Sequence, residues 1–424
     1  MDEKERRKRK QMLAKKRKKQ VMRQRLMLAA AAIVIILIIV IFASVRSCQN
    51  KAAETAAREK AEQEKKQAAE EKENNTLRLM AVGDNLYHDT VLAQGKLENG
   101  GWNYDFLYEN VKKEIEKADI AIVNQEVPLV DDDEDTSGYP TFGTPLEAGD
   151  ALVNAGFDVV TMATNHSYDK GSKGISESLS FWRDSHPDIP VLGIHDSQED
   201  QDKNRVQIIK EKNFKIAMIN YTTLINIGAM VPENESYAVD VYDEETVKAD
   251  VAKAKEEADV VIVFLHTGVE YKNDVDNATQ QRIDFLAEQG VDITICAHPH
   301  VIRPYGTVAR PDGKNMLVYY SLGNFVSGQE GVSQLLEGMA DITLQKDKDT
   351  GEVSVTACSM VPLVMHYEDE WKNCGVYRLD DYTEELAAKH GVHGFSQEEF
   401  TMDSINQYFE PFLQIQQQET ENME

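Results

Sequence analysis

The side chains able to do chemistry in this chain fall at a few points, each just past a short apolar run. They are Gly83-Asp84 with His88, Asn124-Gln125-Glu126, Thr164-Asn165-His166 with Asp169, His266 through Glu270-Tyr271, and His298-Pro299-His300. Oxygen and imidazole donors without a thiolate suit hard or borderline divalent metals such as Mn, Fe or Zn. Two such ions roughly 3.5–4 Å apart can generate hydroxide and clamp a transferring oxyanion. Pro299 cannot donate to a sheet ladder, so the strand before it should end at about Ala297. If the segment stays extended, His298 and His300 face the same side and converge. Each point also has a plain structural alternative. Gly83-Asp84 could be a turn, Asn165 a helix cap, Glu126 a cap or salt-bridge partner, and His266 a satisfied core histidine. Their joint occurrence at five strand ends favours a site, because unrelated polar residues would also scatter over helix faces.

The elements that must position these residues alternate. Apolar β-type runs occur at 77–82, 120–123, 159–163, 191–192, 216–219, 260–265, 291–296 and 316–321. Helical patterns lie between them at 106–117, 145–155, 174–185, 245–258 and 278–289. That alternation predicts an α/β layered sheet, with ligands bound outside the carboxyl ends of its strands. Strands at 340–344 and 353–361 come without helices and predict an antiparallel completion.

The motifs Ala81-Val82-Gly83-Asp84, Asn124-Gln125-Glu126, Asn165-His166-Ser167-Tyr168-Asp169, His266-Thr267-Gly268-Val269-Glu270-Tyr271, Ala297-His298-Pro299-His300 and Ser321-Leu322-Gly323-Asn324-Phe325 run in order over residues 77–330. In this they resemble the CapA family of bacterial capsule synthesis proteins, associated with poly-γ-glutamate and distantly similar to calcineurin-like metallophosphoesterases. The resemblance implies a four-layer α-β-β-α fold with two divalent ions between the strand ends. It would put Asp84 and His300 on one ion, Asn165, His266 and His298 on the other, and Glu126 between them. His166 would be the acid that protonates the leaving oxygen. Asn324, Tyr271 and Glu270 read as facing substrate or supporting the ligands, with plain turn and packing roles the alternative for Asn324 and Tyr271. Arg303, just past the His-Pro-His turn, could contact an anion or form a surface ion pair. His88 lies four residues past Asp84, where phosphoesterases place an early histidine two residues on. Glu126 stands where phosphoesterases carry Asp, and Thr164 where a Gly or Asn is common; these two departures bear on activity more than on metal binding. The implied role is hydrolysis of a capsule-related ester or amide. The alternative is a non-catalytic, polymer-binding or scaffold subunit docked on the membrane subunits of a capsule synthase.

The rest of the chain says where such a domain would work. Residues 1–25 carry 13 Lys/Arg against 3 Asp/Glu, so with a net charge of −27 overall the remaining residues hold −37. That balance excludes a nucleic-acid partner and disfavours loose wrapping by an anionic polymer such as poly-γ-glutamate. Leu26 to Val45 is an uncharged run of 20 residues, enough at about 1.5 Å per residue to cross a hydrocarbon core roughly 30 Å thick. A signal peptide would have a shorter apolar core and a better cleavage site than Ala43-Ser44-Val45-Arg46-Ser47-Cys48. The basic arm should stay in the cytoplasm. The reading is a single-pass membrane protein with its main domain outside the cell. Its parts are an arm (1–25), a transmembrane helix (26–45), an Ala/Glu/Lys/Gln-rich helical stalk (46–75), the main domain (76–370) and a C-terminal extension (371–424). The acidic run Asp131 to Asp135 lacks the ligand alternation of a calcium loop and reads as solvated.

Overall fold

A computed structural model describes residues 2–423, in two compact units, 1–72 and 73–424. In the first, one helix begins at Glu3 and runs on to Asn74, so arm, apolar run and stalk are a single helical rod. Its apolar stretch is exposed throughout, and by length and composition it is a candidate to cross a membrane. Strong helix formers on both sides of the apolar run account for its continuity.

The second unit is built on two sheets. Strands β1 (Thr76–Leu86), β2 (Ile120–Gln125), β5 (Val159–Thr161) and β6 (Val191–Leu192) run parallel, with the short pair β3 (Leu129–Val130) and β4 (Thr144–Pro145) set apart. The second sheet holds β7 (Gln207–Glu211), β8 (Phe214–Thr222), β9 (Val260–His266), β10 (Ile293–Ala297), β11 (Tyr305–Ala309) and β12 (Asn315–Tyr319) in the order β11-β12-β10-β9-β8-β7. Within it, β8, β9, β10 and β12 are parallel. The first sheet is completed by β13 (Asn324–Ser327) beside β1, and by antiparallel β14 (Leu336–Lys346), β15 (Val353–His366) and β16 (Gly375–Arg378). The last strand and buried Phe400, Ile405 and Phe409 bring the C-terminal residues into the same core.

Strand β9 shows why the layers form. Val260, Ile262 and Phe264 join the core shared with the first sheet, while Val261, Val263 and Leu265 pack with Val247, Val251, Ile283 and Leu286 of helices Glu244–Glu257 and Asn277–Gln289. Period-2 alternation with both faces apolar is the signature of a strand covered on both sides. Helices Glu147–Ala155 and Gly171–Ser185 bury Leu152, Ile175, Leu179 and Trp182 against the first sheet. The order of layers is helix, sheet, sheet, helix.

One predicted helix is broken. Residues 106–117 form a 3₁₀ turn (Asp105–Leu107) and a single α-turn (Lys112–Ile115). Leu107, Tyr108, Val111 and Ile115 keep helical spacing and are all buried. The aromatic residues and Asn110 favour a continuous helix only weakly, so packing decides the local form.

Candidate metal centre

The carboxyl ends of the parallel strands of both sheets meet at one place. From the first sheet, β1 delivers Asp84, the residue after β2 is Glu126, and the turn after β5 carries Asn165 and His166. From the second, β9 ends on His266, and the turn after β10 carries His298 and His300. All seven side chains are buried. The chain reaches this geometry through a close backbone approach: a Cβ on Gly83 would lie 1.9 Å from the Gly323 carbonyl oxygen, so only glycine lets β1 bulge and turn Asp84 inward beside β13.

The two histidines after β10 converge by a different route from the extended one expected. His298 has φ 100° and His300 φ 57°, so the segment coils through the left-handed region. Such conformations cost on the order of 1–3 kcal/mol each and persist where surrounding structure enforces them. One ligand atom each from Glu126, His298 and His300 lie within 4.8 Å of one another.

The partners fix several ring orientations. His300 Nδ1 lies 2.9 Å from Asn324 Oδ1 and 3.2 Å from Asp84 Oδ2; both are acceptors, so Nδ1 carries the hydrogen and Nε2 faces Glu126 Oε1 at 3.9 Å. His266 Nε2 lies 2.7 Å from Asn165 Oδ1 and 3.7 Å from Glu126 Oε1. The His298 N–H donates to Asp84 Oδ2 (3.1 Å), and the Asn124 amide donates to Oδ1 (2.7 Å). His166 Nδ1 sits 2.7 Å from Asp169 Oδ2, with the Asn226 amide 3.1 Å away.

What the cluster leaves undone is as informative. Both carboxylate oxygens of Glu126, Nδ1 of His266 and Nδ1 of His298 are buried without a hydrogen-bond partner. An unsatisfied buried polar atom costs about 1–3 kcal/mol, and here four belong to one cluster of ligand-type residues. Burial, then the Asp84 charge, pushes the Glu126 carboxyl well up. Burial opposes ionisation of Asp84 too, but the His300 hydrogen bond and the surrounding imidazoles outweigh it and hold Asp84 below the usual range. Burial drives His266 well down and, with His300, takes His298 to about 3. For His300 burial is overcome by Glu126 and Asp84, and it rises to about 9. Hard oxygen donors, neutral imidazoles and orphaned atoms in one place suit a divalent cation, whose binding would displace the protons on Glu126 and His300.

In front of the cluster lies a cavity of about 790 Å³, lined by His88, Asn165, His166, Glu270, Tyr271, His300 and neighbours. His88 accepts the Gly328 N–H through Nδ1 (3.1 Å). Tyr271 is half exposed at the rim, its hydroxyl 3.2 Å from the Gln329 amide nitrogen, and Glu270 beside it is exposed. Asn324 is fully buried behind His300, its amide donating to Gln329 Oε1 and the Gln334 carbonyl.

Arg303 corrects the sequence reading. It is fully buried, neither a surface ion pair nor a wall of the cavity, and it donates to the carbonyls of Lys272 (2.8 Å) and Val269 (3.0 Å). The guanidinium staples the loop that follows β9, because that loop's carbonyls have no ladder partner there. The acidic run 131–135 is a surface turn: Asp132 caps Glu134, and Asp135 pairs with Lys173.

Two residues escaped the sequence reading. Asn226 lines the cavity and reaches both Asn165 and His166. It follows β8, so the same strand-end rule would have found it. Glu337 on β14 is fully buried, neither oxygen has a partner, and burial together with the Asp84 charge pushes its carboxyl well up. No local pattern marks it.

The family described as "Bacterial capsule synthesis protein PGA_cap" matches residues 78–329. Over 213 residues, 50% of this chain and 53% of the relative, identity is 29% to the PGA biosynthesis protein CapA of Bacillus subtilis (strain 168). Over 233 residues, 53% and 54% respectively, it is 25% to the capsule biosynthesis protein CapA of Bacillus anthracis. The chain thus spans about half the length of these curated relatives. Among solved structures, Haemophilus influenzae NAD nucleotidase aligns over 81% of this chain and 60% of its own, at 14% identity and a TM-score of 0.44.

Proposed function

The chain belongs to the PGA_cap family of bacterial capsule synthesis proteins, and from that premise we propose a membrane-anchored protein that hydrolyses a capsule-related ester or amide at a divalent-metal centre outside the cell. The single observation that carries this reading is the Glu126 carboxylate, buried with neither oxygen hydrogen-bonded and facing histidines on two other strand ends.

Asp84, Glu126, Asn165, His266, His298 and His300 would hold one or two ions. A bound divalent ion supplies Lewis acidity toward the scissile group and lowers the pKa of water. The chain's own residues do the rest. Asp169 occupies Nδ1 of His166 and sets the ring, which leaves Nε2 to pass a proton to the departing oxygen or nitrogen. Asn324 fixes the ring of His300, and Asn124 orients Asp84. The burial of the cluster keeps bulk water from the reacting groups. The surplus of ten positive charges before the apolar run supports a cytoplasmic N-terminus and an external domain over 76–370, with 371–424 as its extension.

A second reading has its own support. The relatives are named for biosynthesis, and the domain's negative charge suits guidance of a polymer past it better than retention. The chain would then be a scaffold subunit of the capsule synthase, with the ion serving stability. His166→Ala separates the two. In cells with unchanged protein level and metal content, loss of polymer output is expected for a catalyst, and unchanged output would sink the hydrolase reading.

A further inference from the structure

The cavity wall narrows the substrate class, on the premise of the metal-centre reading for the reacting end. Its volume of about 790 Å³ suits a ligand of several rings. Among the described residues no Lys or Arg lines it; the carboxylates on its wall are Asp169 and Glu270. Asp169 is engaged through Oδ2 by His166 and the Phe142 N–H, and its unpartnered Oδ1 is buried, which leaves Glu270 as the exposed acceptor. Cations nearby are turned to other work: Lys170 donates to Ser137, Lys173 pairs with Asp135 and Glu177, and Arg303 holds backbone carbonyls. Sites for multiply anionic ligands gather Arg, Lys or helix N-termini around each charge. Beyond the metal ligands, this wall offers none of the basic side chains.

It offers aromatic faces and amides instead. Tyr139 is 73% exposed and Tyr271 48%, with Phe142 between wall and core. Asn226 and Gln329 are each bonded to chain neighbours, and each amide keeps a second N–H and a second lone pair for a ligand. Rigid aromatic surface flanked by amides and a carboxylate acceptor matches a ring that is apolar on its face and hydroxylated at its edge.

We propose that the cavity binds a saccharide ester: one electrophilic or anionic group at the metal end, and an uncharged, hydroxyl-rich body along the Tyr139–Tyr271 wall. A polyanion such as oligo-γ-glutamate is excluded from that wall by Glu270 and by the lack of basic partners.

The test uses the full chain in detergent micelles, equilibrated with Mn²⁺ and titrated calorimetrically at physiological salt with penta-N-acetylchitopentaose and with penta-γ-glutamate. The neutral probe should bind roughly tenfold or more tightly than the anionic one, and Tyr271→Ala and Tyr139→Ala should weaken it by a similar factor. Glu270→Lys should raise affinity for the anionic probe. Equal or tighter binding of penta-γ-glutamate, or binding of neither probe, overturns the proposal. Metal content is measured on the same samples. Absence of a bound ion would remove the metal-centre reading, while the wall's choice between the two probes is still decided by the titrations.

Discussion

Two clusters of buried histidine and carboxylate stand in this fold, and they differ in what they leave unmet. Around His195, Asp240 Oδ2 accepts from the ring (2.8 Å), and its Oδ1 takes Gln201 (2.8 Å) and Arg205 (3.2 Å). Asp250 accepts the Tyr221 hydroxyl (2.7 Å). The charges in that group answer one another, and its one ring atom without a hydrogen bond, His195 Nδ1, still lies 3.7 Å from Asp200 Oδ2. At the strand ends, Glu126 has no donor at all, and two imidazole nitrogens are orphaned. Composition alone would rank the clusters alike. The degree of satisfaction separates them: a nearly closed network stabilises one packing arrangement, whereas an open one, with four unpartnered atoms, holds back donors for something outside the chain.

The comparison can be broken from either side. The largest effect should follow Asp240→Ala, which leaves His195 and Arg205 facing a void. Urea unfolding should show a loss of about 3–5 kcal/mol, with Mn²⁺ affinity of the surviving folded protein unchanged; a fall in metal affinity would show that the clusters are coupled. Next, discharging His195 by raising the pH, which removes the charge partner of Asp200 and Asp240, should cost about 3 kcal/mol. Burial lowers that ring's proton affinity, but Asp200 and Asp240 outweigh it and raise it to about 9. A group bound more tightly by protons in the folded state contributes fully below about 6.5 and loses its contribution as pH rises through about 9. The stability gap between wild type and His195→Gln should therefore shrink between pH 7 and 10; a constant gap would refute the assignment.

His298→Ala should do the reverse of Asp240→Ala. Metal affinity should fall by more than the roughly 10–100-fold typical of an outer partner, while unfolding free energy without metal stays level or rises, because an orphaned buried nitrogen is removed. A large loss of metal-free stability would place this cluster with the closed kind. The smallest effect should come from Glu337→Gln. Its carboxyl is raised well above its ordinary value, so folding is most favoured below pH 4.5 and loses ground as pH climbs above it. The glutamine removes that loss, and a gain of about 1 kcal/mol at pH 7 is expected from thermal or urea melts.

Much of this was legible in one dimension. Strands alternating with helices call for a largely parallel sheet covered by helices, and donors placed just after apolar runs land at its strand ends. What was hidden depended on partners far away in the chain. Arg303 reads as a free cation until the loop carbonyls of Val269 and Lys272 surround it. Glu337 sits in an ordinary strand, and only the fold removes every donor from it. The convergence of His298 and His300 was expected, yet it comes through a left-handed turn that no periodicity encodes. The helix foreseen at 106–117 is broken into two short turns because its helix propensity is weak and packing of its buried residues decides the local form.

Asp84 and His298 are 214 positions apart, and each belongs to a different sheet. A nascent chain can therefore gather only part of the pocket; it is completed only once almost the whole domain has emerged and both sheets have closed. Cation capture would have to come last in the protein's maturation, and a fragment that ends before residue 298 should be blind to metal however well its first strands fold.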